Sequence, residues 1–221
     1  MRLALPKGRN LTTALDALRI AGLDLADLES GDRRLRISLP GDVEVLLIKD
    51  RDVPLYVSHG IADVGVVGSD VLEETGDDTL LVPARFTQGT SRLSLIGKSA
   101  DAMPSPGDQV RLATKYPVTA RDMLAARTWG AEIIELSGSI ELAPLLELAE
   151  LALDIVQTGR TLHDNHLVEL ETIRHVAPCW VTHRAAWQRH RRQFNDWLDR
   201  FTAAGLVSAG LTATGSEGET A

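Results

Sequence analysis

The chain has 221 residues, 44% of them hydrophobic, which is enough for one large core or two modest ones, and 31 acidic against 23 basic residues give a net charge of −8. That balance excludes a broad basic nucleic-acid surface but leaves room for a local cationic pocket that takes a phosphorylated small molecule. The single cysteine, Cys179, excludes an intrachain disulfide and fits a reducing cytoplasm. Flanked by Pro178 and Trp180, it reads as a packing residue. No stretch approaches the ~18 consecutive apolar residues of a membrane span, and the apolar run at the start is too short for a signal peptide before Lys7 and Arg9 interrupt it. A soluble, cytoplasmic protein is expected.

In chain order, residues 3–5 read as a short strand closed by Pro6 and Gly8. Leu11, Ala14, Leu15, Leu18 and Ala21 then recur on one helical face, with Gly22 as the stop. Residues 43–48 and 63–67 are apolar strand patterns, the second followed by Gly68 and a helix capped by Ser69. Residues 80–82 and 93–96 add strands, and the Pro-, Ser- and Gly-rich residues 101–108 form a surface loop. Beyond it come a strand at 111–114, a helix from about 119, a strand at 133–136, a helix from about 141 and a strand at 153–156. This alternation predicts an α/β architecture with largely parallel sheets in two lobes that meet near residue 88. Residues 184–201 predict a helix with Trp187, Phe194, Trp197, Leu198 and Phe201 in one stripe, packed on its own domain or set against an oligomer partner. Residues 208–221, rich in Gly, Thr, Ser and Glu, are expected to be disordered.

The segment most informative about chemistry runs Asp154-Ile155-Val156-Gln157-Thr158-Gly159-Arg160-Thr161-Leu162. A phosphate is held best by several backbone N–H groups aimed at it, as where a loop enters a helix. Thr158 and Thr161 add hydroxyl donors, and Gly159 lets the backbone approach closely. Asp154 at the strand end suits two adjacent ribose hydroxyls, because an ionised carboxylate only accepts hydrogen bonds. Taken alone, the same four residues Thr-Gly-Arg-Thr also suit an ordinary helix-entry loop.

The wider context is more specific. Ser137-Gly138-Ser139-Ile140-Glu141-Leu142-Ala143-Pro144, followed by residues 154–162, resembles in order and spacing the phosphoribosyl pyrophosphate region of ATP phosphoribosyltransferases. Pro6-Lys7-Gly8-Arg9 is similar to that family's N-terminal signature. So are Asp52-Val53-Pro54 with Tyr56-Val57, the segment from His59 to Gly65, and Ala113-Thr114-Lys115-Tyr116-Pro117 with Arg121 behind it. The likeness covers roughly residues 2 to 185. Two positions depart from the pattern: His166 follows Asn165 where the family usually has glycine, and Arg160 occupies a variable place.

The resemblance implies a two-lobed fold like that of periplasmic binding proteins, with an active-site cleft between the lobes. Lobe I would comprise residues 1–88 and 178–204, and lobe II residues 89–177. The implied reaction is attack of adenine N1 of ATP on the anomeric carbon of phosphoribosyl pyrophosphate, expelling pyrophosphate and opening histidine biosynthesis. Arg9 and Arg33 are then expected to assist catalysis, and Lys7, Gly8, Arg9 and Lys49 to bind ATP. Glu141, Asp154, Thr158, Gly159, Arg160, Thr161 and Leu162 are expected to bind phosphoribosyl pyrophosphate. Mg²⁺ would ride on the substrate phosphates, without a dedicated protein metal site; the six histidines show no ligand spacing. His59 reads as a helix-end residue, and Asp63 as a residue of the lobe interface or of the ligand site. The short stretch after His183 implies the family's short form, which works in a hetero-octamer with a regulatory subunit resembling histidyl-tRNA synthetase, or as a homodimer alone. A non-catalytic sensor and a phosphoribosyltransferase acting on another base remain the alternatives.

Overall fold

The computed structural model describes residues 1–29 and 34–207. Their elements in chain order are β1 (Arg2–Lys7), α1 (Leu11–Ile20), α2 (Ala26–Glu29), β2 (Arg36–Leu39), β3 (Val43–Lys49), α3 (Val53–Ser58), β4 (Val64–Gly68), α4 (Ser69–Thr75) and β5 (Leu80–Arg85). They continue with β6 (Ser91–Gly97), β7 (Gln109–Thr114), α5 (Pro117–Ala125), β8 (Gly130–Glu135), α6 (Leu142–Leu145), β9 (Leu151–Val156), α7 (Arg160–Asp164), β10 (Val168–Val176), β11 (Pro178–His183) and α8 (Arg184–Ala203). The described residues divide into two compact units, one drawn from Met1–Thr90 and 177–207, the other Ser91–Val176.

The first unit is built on a six-stranded sheet ordered β2-β3-β1-β4-β11-β5, the second on a five-stranded sheet ordered β10-β6-β9-β7-β8. Both are mixed, which corrects the expectation of largely parallel sheets. In the first, β1 runs parallel to β3 and β4, while β2, β11 and β5 pair antiparallel with their neighbours. In the second, β7 runs parallel to β8 and β9, while β6 is antiparallel to β9 and β10. The antiparallel strands include β10 and β11, which carry no helix between them and so escape the helix–strand alternation.

Side-chain alternation gives each sheet two buried faces. On β1, Leu3 and Leu5 enter one apolar cluster and Ala4 the opposite one. On β9, Leu151 and Leu153 enter one cluster while Ala152 and Val156 enter the other. Pro6 lies inside β1, beyond the residues Leu3 and Ala4 that pair with β4, where the ladder on that side has already ended. Helix α8 packs on its own unit: Trp180 of β11 has ring centroids of Phe194 and Phe201 at 5.3 Å. Cys179 is fully buried on β11, and burial pushes its thiol up to about 11, so it packs rather than reacts. Ser69 is the first residue of α4, not its cap; its hydroxyl accepts from the Ala177 N–H at 3.3 Å. Among the described residues no helix is long and apolar enough to cross a membrane. The tail expected to be disordered, 208–221, lies outside the described residues.

Candidate active site

Each sheet contains a parallel trio whose central strand comes first in sequence: β3-β1-β4 in the first unit and β8-β7-β9 in the second. From such a strand the chain leaves to one side and later returns on the other. The loops at the carboxyl ends of the trio therefore diverge and leave room for a ligand. Lys7, Gly8, Arg9 and Lys49 fall at the first of these edges, and Glu141 and residues 154–162 at the second.

In the first unit, Lys7 and Lys49 are register partners at the ends of β1 and β3, and both are exposed. Gly8 turns the chain toward α1 with φ +118°. Arg9 Nη2 donates to both carboxylate oxygens of Asp70 at 2.8 Å, and Asp70 is buried at the start of α4. Asn10 Nδ2 donates to Asp50 Oδ2 at 3.2 Å. The Asp50 carboxyl is pushed above its ordinary value by burial first and by the charge of Asp70 second, against the pull of Arg9 and Asn10. One guanidinium thus serves two sequestered carboxyl groups, and the backbone must come close to let it. A Cβ on Gly68 would stand 2.0 Å from Asp70 Oδ1 and 2.9 Å from Arg9 Nη2. Arg33 lies outside the described residues. His59 caps the C-terminus of α3, its Nδ1 3.0 Å from the Leu55 carbonyl. Asp63 ties strand to helix within this unit, accepting from the Arg2 N–H at 2.8 Å and from Arg189 Nη1 at 3.1 Å.

In the second unit, Asp154 sits within β9, two residues before its end, and is 8% exposed. Its Oδ1 lies 3.1 Å from Lys115 Nζ. Lys115 is fixed by its neighbour: the Thr114 hydroxyl donates to the Leu153 carbonyl at 2.8 Å and accepts from the Tyr116 N–H at 2.9 Å. The loop beyond β9 then enters α7 through Gly159 at φ +76°, a conformation open to glycine at little cost. The Thr158 hydroxyl oxygen accepts from the Arg160 N–H at 3.3 Å, leaving its proton for an outside acceptor. Thr161 is exposed, and Arg160 projects outward, 3.5 Å from Asp164. The Leu162 side chain is buried in the apolar cluster with Val156 and Leu167, so only its backbone can face a ligand. Glu141, half-buried, is the N-cap residue of α6 and makes no side-chain capping bond. His166 carries φ +55°, the left-handed conformation that glycine accommodates best.

Sequence reasoning assigned no role to Lys115, although its motif was in view, nor to Asp50 and Asp70. These partners of Arg9 are 40 to 61 positions from the residues they meet, and no local pattern announces them. Among the described residues no three His, Cys, Asp or Glu side chains form a metal-ligating group.

Fold and site define a two-unit α/β protein with cationic and hydroxyl-bearing loops at the carboxyl edges of its parallel trios. A family model described as ATP phosphoribosyltransferase (HisG) matches residues 49–203. The ATP phosphoribosyltransferase of Thermus thermophilus is 42% identical over 200 residues, covering 90% of this chain and 94% of that one. Among solved structures, the ATP phosphoribosyl transferase (HisG:HisZ) complex from Thermotoga maritima aligns with TM-score 0.75 at 32% identity, over 92% of this chain and 97% of that chain. A protein solved bound to L-arginine shares the fold alone, with TM-score 0.60 at 9% identity over 92% of this chain and 85% of that one. The chain belongs to the ATP phosphoribosyltransferase family.

Proposed function

We propose that this chain joins ATP to phosphoribosyl pyrophosphate, forming phosphoribosyl-ATP and pyrophosphate, as the first step of histidine biosynthesis in the cytoplasm. The observation that carries the reading is the match to the family across nine-tenths of the chain, including the loop at 157–162. Adenine N1 has a free lone pair and needs no base to activate it. The barrier lies in bringing two polyanions together and in stabilising the departing pyrophosphate, so positioning and preorganised positive charge supply most of the rate.

In this reading the N–H groups of the loop, with the Thr158 and Thr161 hydroxyls, hold the 5′-phosphate. Asp154, with Lys115 Nζ 3.1 Å from its Oδ1, accepts from the ribose hydroxyls, and Glu141 adds a ribose or pyrophosphate contact. Lys7, Gly8, Arg9 and Lys49 meet ATP. Arg9 and Arg33 stabilise charge on the leaving pyrophosphate, where a guanidinium fork fits phosphate oxygens better than an ammonium. Mg²⁺ is held mainly by substrate phosphate oxygens, because it keeps several waters and needs few protein ligands. The solved Thermotoga relative is a complex of two kinds of chain, and we assign this chain a regulatory partner subunit of the same kind. Its expected state is the short-form catalytic subunit of a hetero-octamer.

The test is to supply phosphoribosyl pyrophosphate with ATP and, separately, with other bases. Consumption only with ATP supports the reading. Consumption with another base reassigns the acceptor, and binding without turnover points to a sensor.

A further inference from the structure

Behind the loop stands a side-chain cluster that no motif announced. Arg92, the second residue of β6, makes a two-pronged ion pair with Glu169 on β10, 77 positions away. Glu169 also accepts from the hydroxyl of fully buried Ser94 at 2.7 Å and from that of Thr172 at 3.2 Å. These bonds fix the carboxylate, and the carboxylate fixes the guanidinium. The third prong of Arg92 reaches the loop itself: Nη1 donates to the Gln157 carbonyl at 3.3 Å. Nη2 lies 3.9 Å from where a Cβ on Gly159 would be.

We infer that Arg92, held by Glu169, is a positioning residue for the 5′-phosphate site, setting the orientation of the peptide between Gln157 and Thr158. The inference rests on the phosphate-loop reading proposed above. In a planar trans peptide the carbonyl and the following N–H point in opposite directions. Anchoring the Gln157 carbonyl to Arg92 therefore turns the Thr158 N–H away from the guanidinium, to the other side of the loop. That is the orientation a phosphate-binding amide needs. Without the anchor this peptide can rotate about its two flanking soft dihedrals, ψ of Gln157 and φ of Thr158. Because Glu169 neutralises Arg92, the contribution is one of geometry more than of charge. An ordinary cross-strand ion pair would stabilise the sheet alone, and would treat both substrates alike.

The experiment compares wild type with Arg92→Met, Arg92→Lys and Glu169→Gln in the full chain, measuring both Michaelis constants and the affinity for ribose 5-phosphate. Ribose 5-phosphate carries the 5′-phosphate without the pyrophosphate and so reports on the loop end of the substrate. Arg92→Met should weaken ribose 5-phosphate and raise KM for phosphoribosyl pyrophosphate, each by roughly tenfold, the scale of one lost hydrogen bond to a charged group. KM for ATP should change less than about twofold. Glu169→Gln should shift the same two quantities by less, and Arg92→Lys should recover part of the loss. If Arg92→Met does not fold, the selectivity is read from the two milder variants. Equal changes for both substrates, or unchanged ribose 5-phosphate affinity in folded variants, overturns the inference. Wild type that binds neither phosphoribosyl pyrophosphate nor ribose 5-phosphate would instead sink the loop assignment on which it stands.

Discussion

Replacing Glu169 by glutamine keeps the side chain's shape and one acceptor oxygen but removes its charge, so the cost of that change measures the Arg92 pair. Hydrogen bonding from Arg92 is the largest influence on this carboxyl and holds it down at about 2, against an ordinary value of 4.5; the Ser94 and Thr172 hydroxyls act in the same direction, and burial opposes them. The raised affinity of Arg92 for its proton is the same interaction seen from the other end and is not counted again. At about 1.4 kcal/mol for each tenfold change in proton affinity, the ionised carboxylate stabilises the fold by up to roughly 3 kcal/mol. The side chain is 23% exposed, so water screens only part of that. The sign follows from the depressed value. The stabilisation is present in full above the unfolded carboxyl's range, near pH 4.5, and is lost as pH falls toward about 2. Glu150, also lowered to about 2 by Arg111, adds an acid-sensitive pair, but it is 45% exposed and common to both proteins, so it cancels in the difference. Urea unfolding of wild type and Glu169→Gln should show a gap of about 2–3 kcal/mol at pH 7, closing steadily between pH 4.5 and about 2.5. A gap that stays constant across that range would mean the carboxylate does not owe its low value to the folded state, and the reasoning fails.

Three further outcomes are expected. Thr158→Val and Thr161→Val should each weaken phosphoribosyl pyrophosphate by roughly 1.5–3 kcal/mol, the range for a hydrogen bond to a charged group, while leaving ATP nearly unchanged by calorimetry. His166→Gly should raise stability by about 1 kcal/mol in denaturant titrations, because His166 is exposed and holds φ +55°; no gain would mean that the histidine has an offsetting contact. Histidine should inhibit the isolated chain weakly and the assembly with its regulatory partner strongly, since coupling needs a second site that distinguishes two states. Strong inhibition of the isolated chain, not competitive with ATP, would place a regulatory site within these residues.

What the sequence made legible was local. The α1 face from Leu11 to Ala21 and the strand around Val45 announce themselves within a window of a few residues, as does the Thr158-Gly159-Arg160-Thr161 loop. Strand β10 does not, because it slips register between Glu169 and Glu171 and again between Thr172 and Arg174. Each slip moves side chains to the other face, so no period of two survives in Val168–Val176. Strand β11 begins with Pro178 and is buried on both faces, which erases alternation. The supports of the site were hidden for a different reason. Arg9 meets Asp70 and Arg92 meets Glu169 only after the sheets have assembled, across 61 and 77 positions. Each of these residues looks like a surface charge when its neighbours in sequence are all that is known. The departure at His166 was visible as a missing glycine, and the structure supplies the positive φ that gives the departure its meaning.

The central claim is that this chain forms a bond between adenine N1 and the anomeric carbon of ribose 5-phosphate. Nuclear magnetic resonance of the product formed from ATP, phosphoribosyl pyrophosphate and Mg²⁺ tests it most directly. A β-linked N1–C1′ product, released with one pyrophosphate for each ATP consumed, is the expected result. Pyrophosphate release without that bond, or a bond to any other atom of the nucleotide, would contradict the claim.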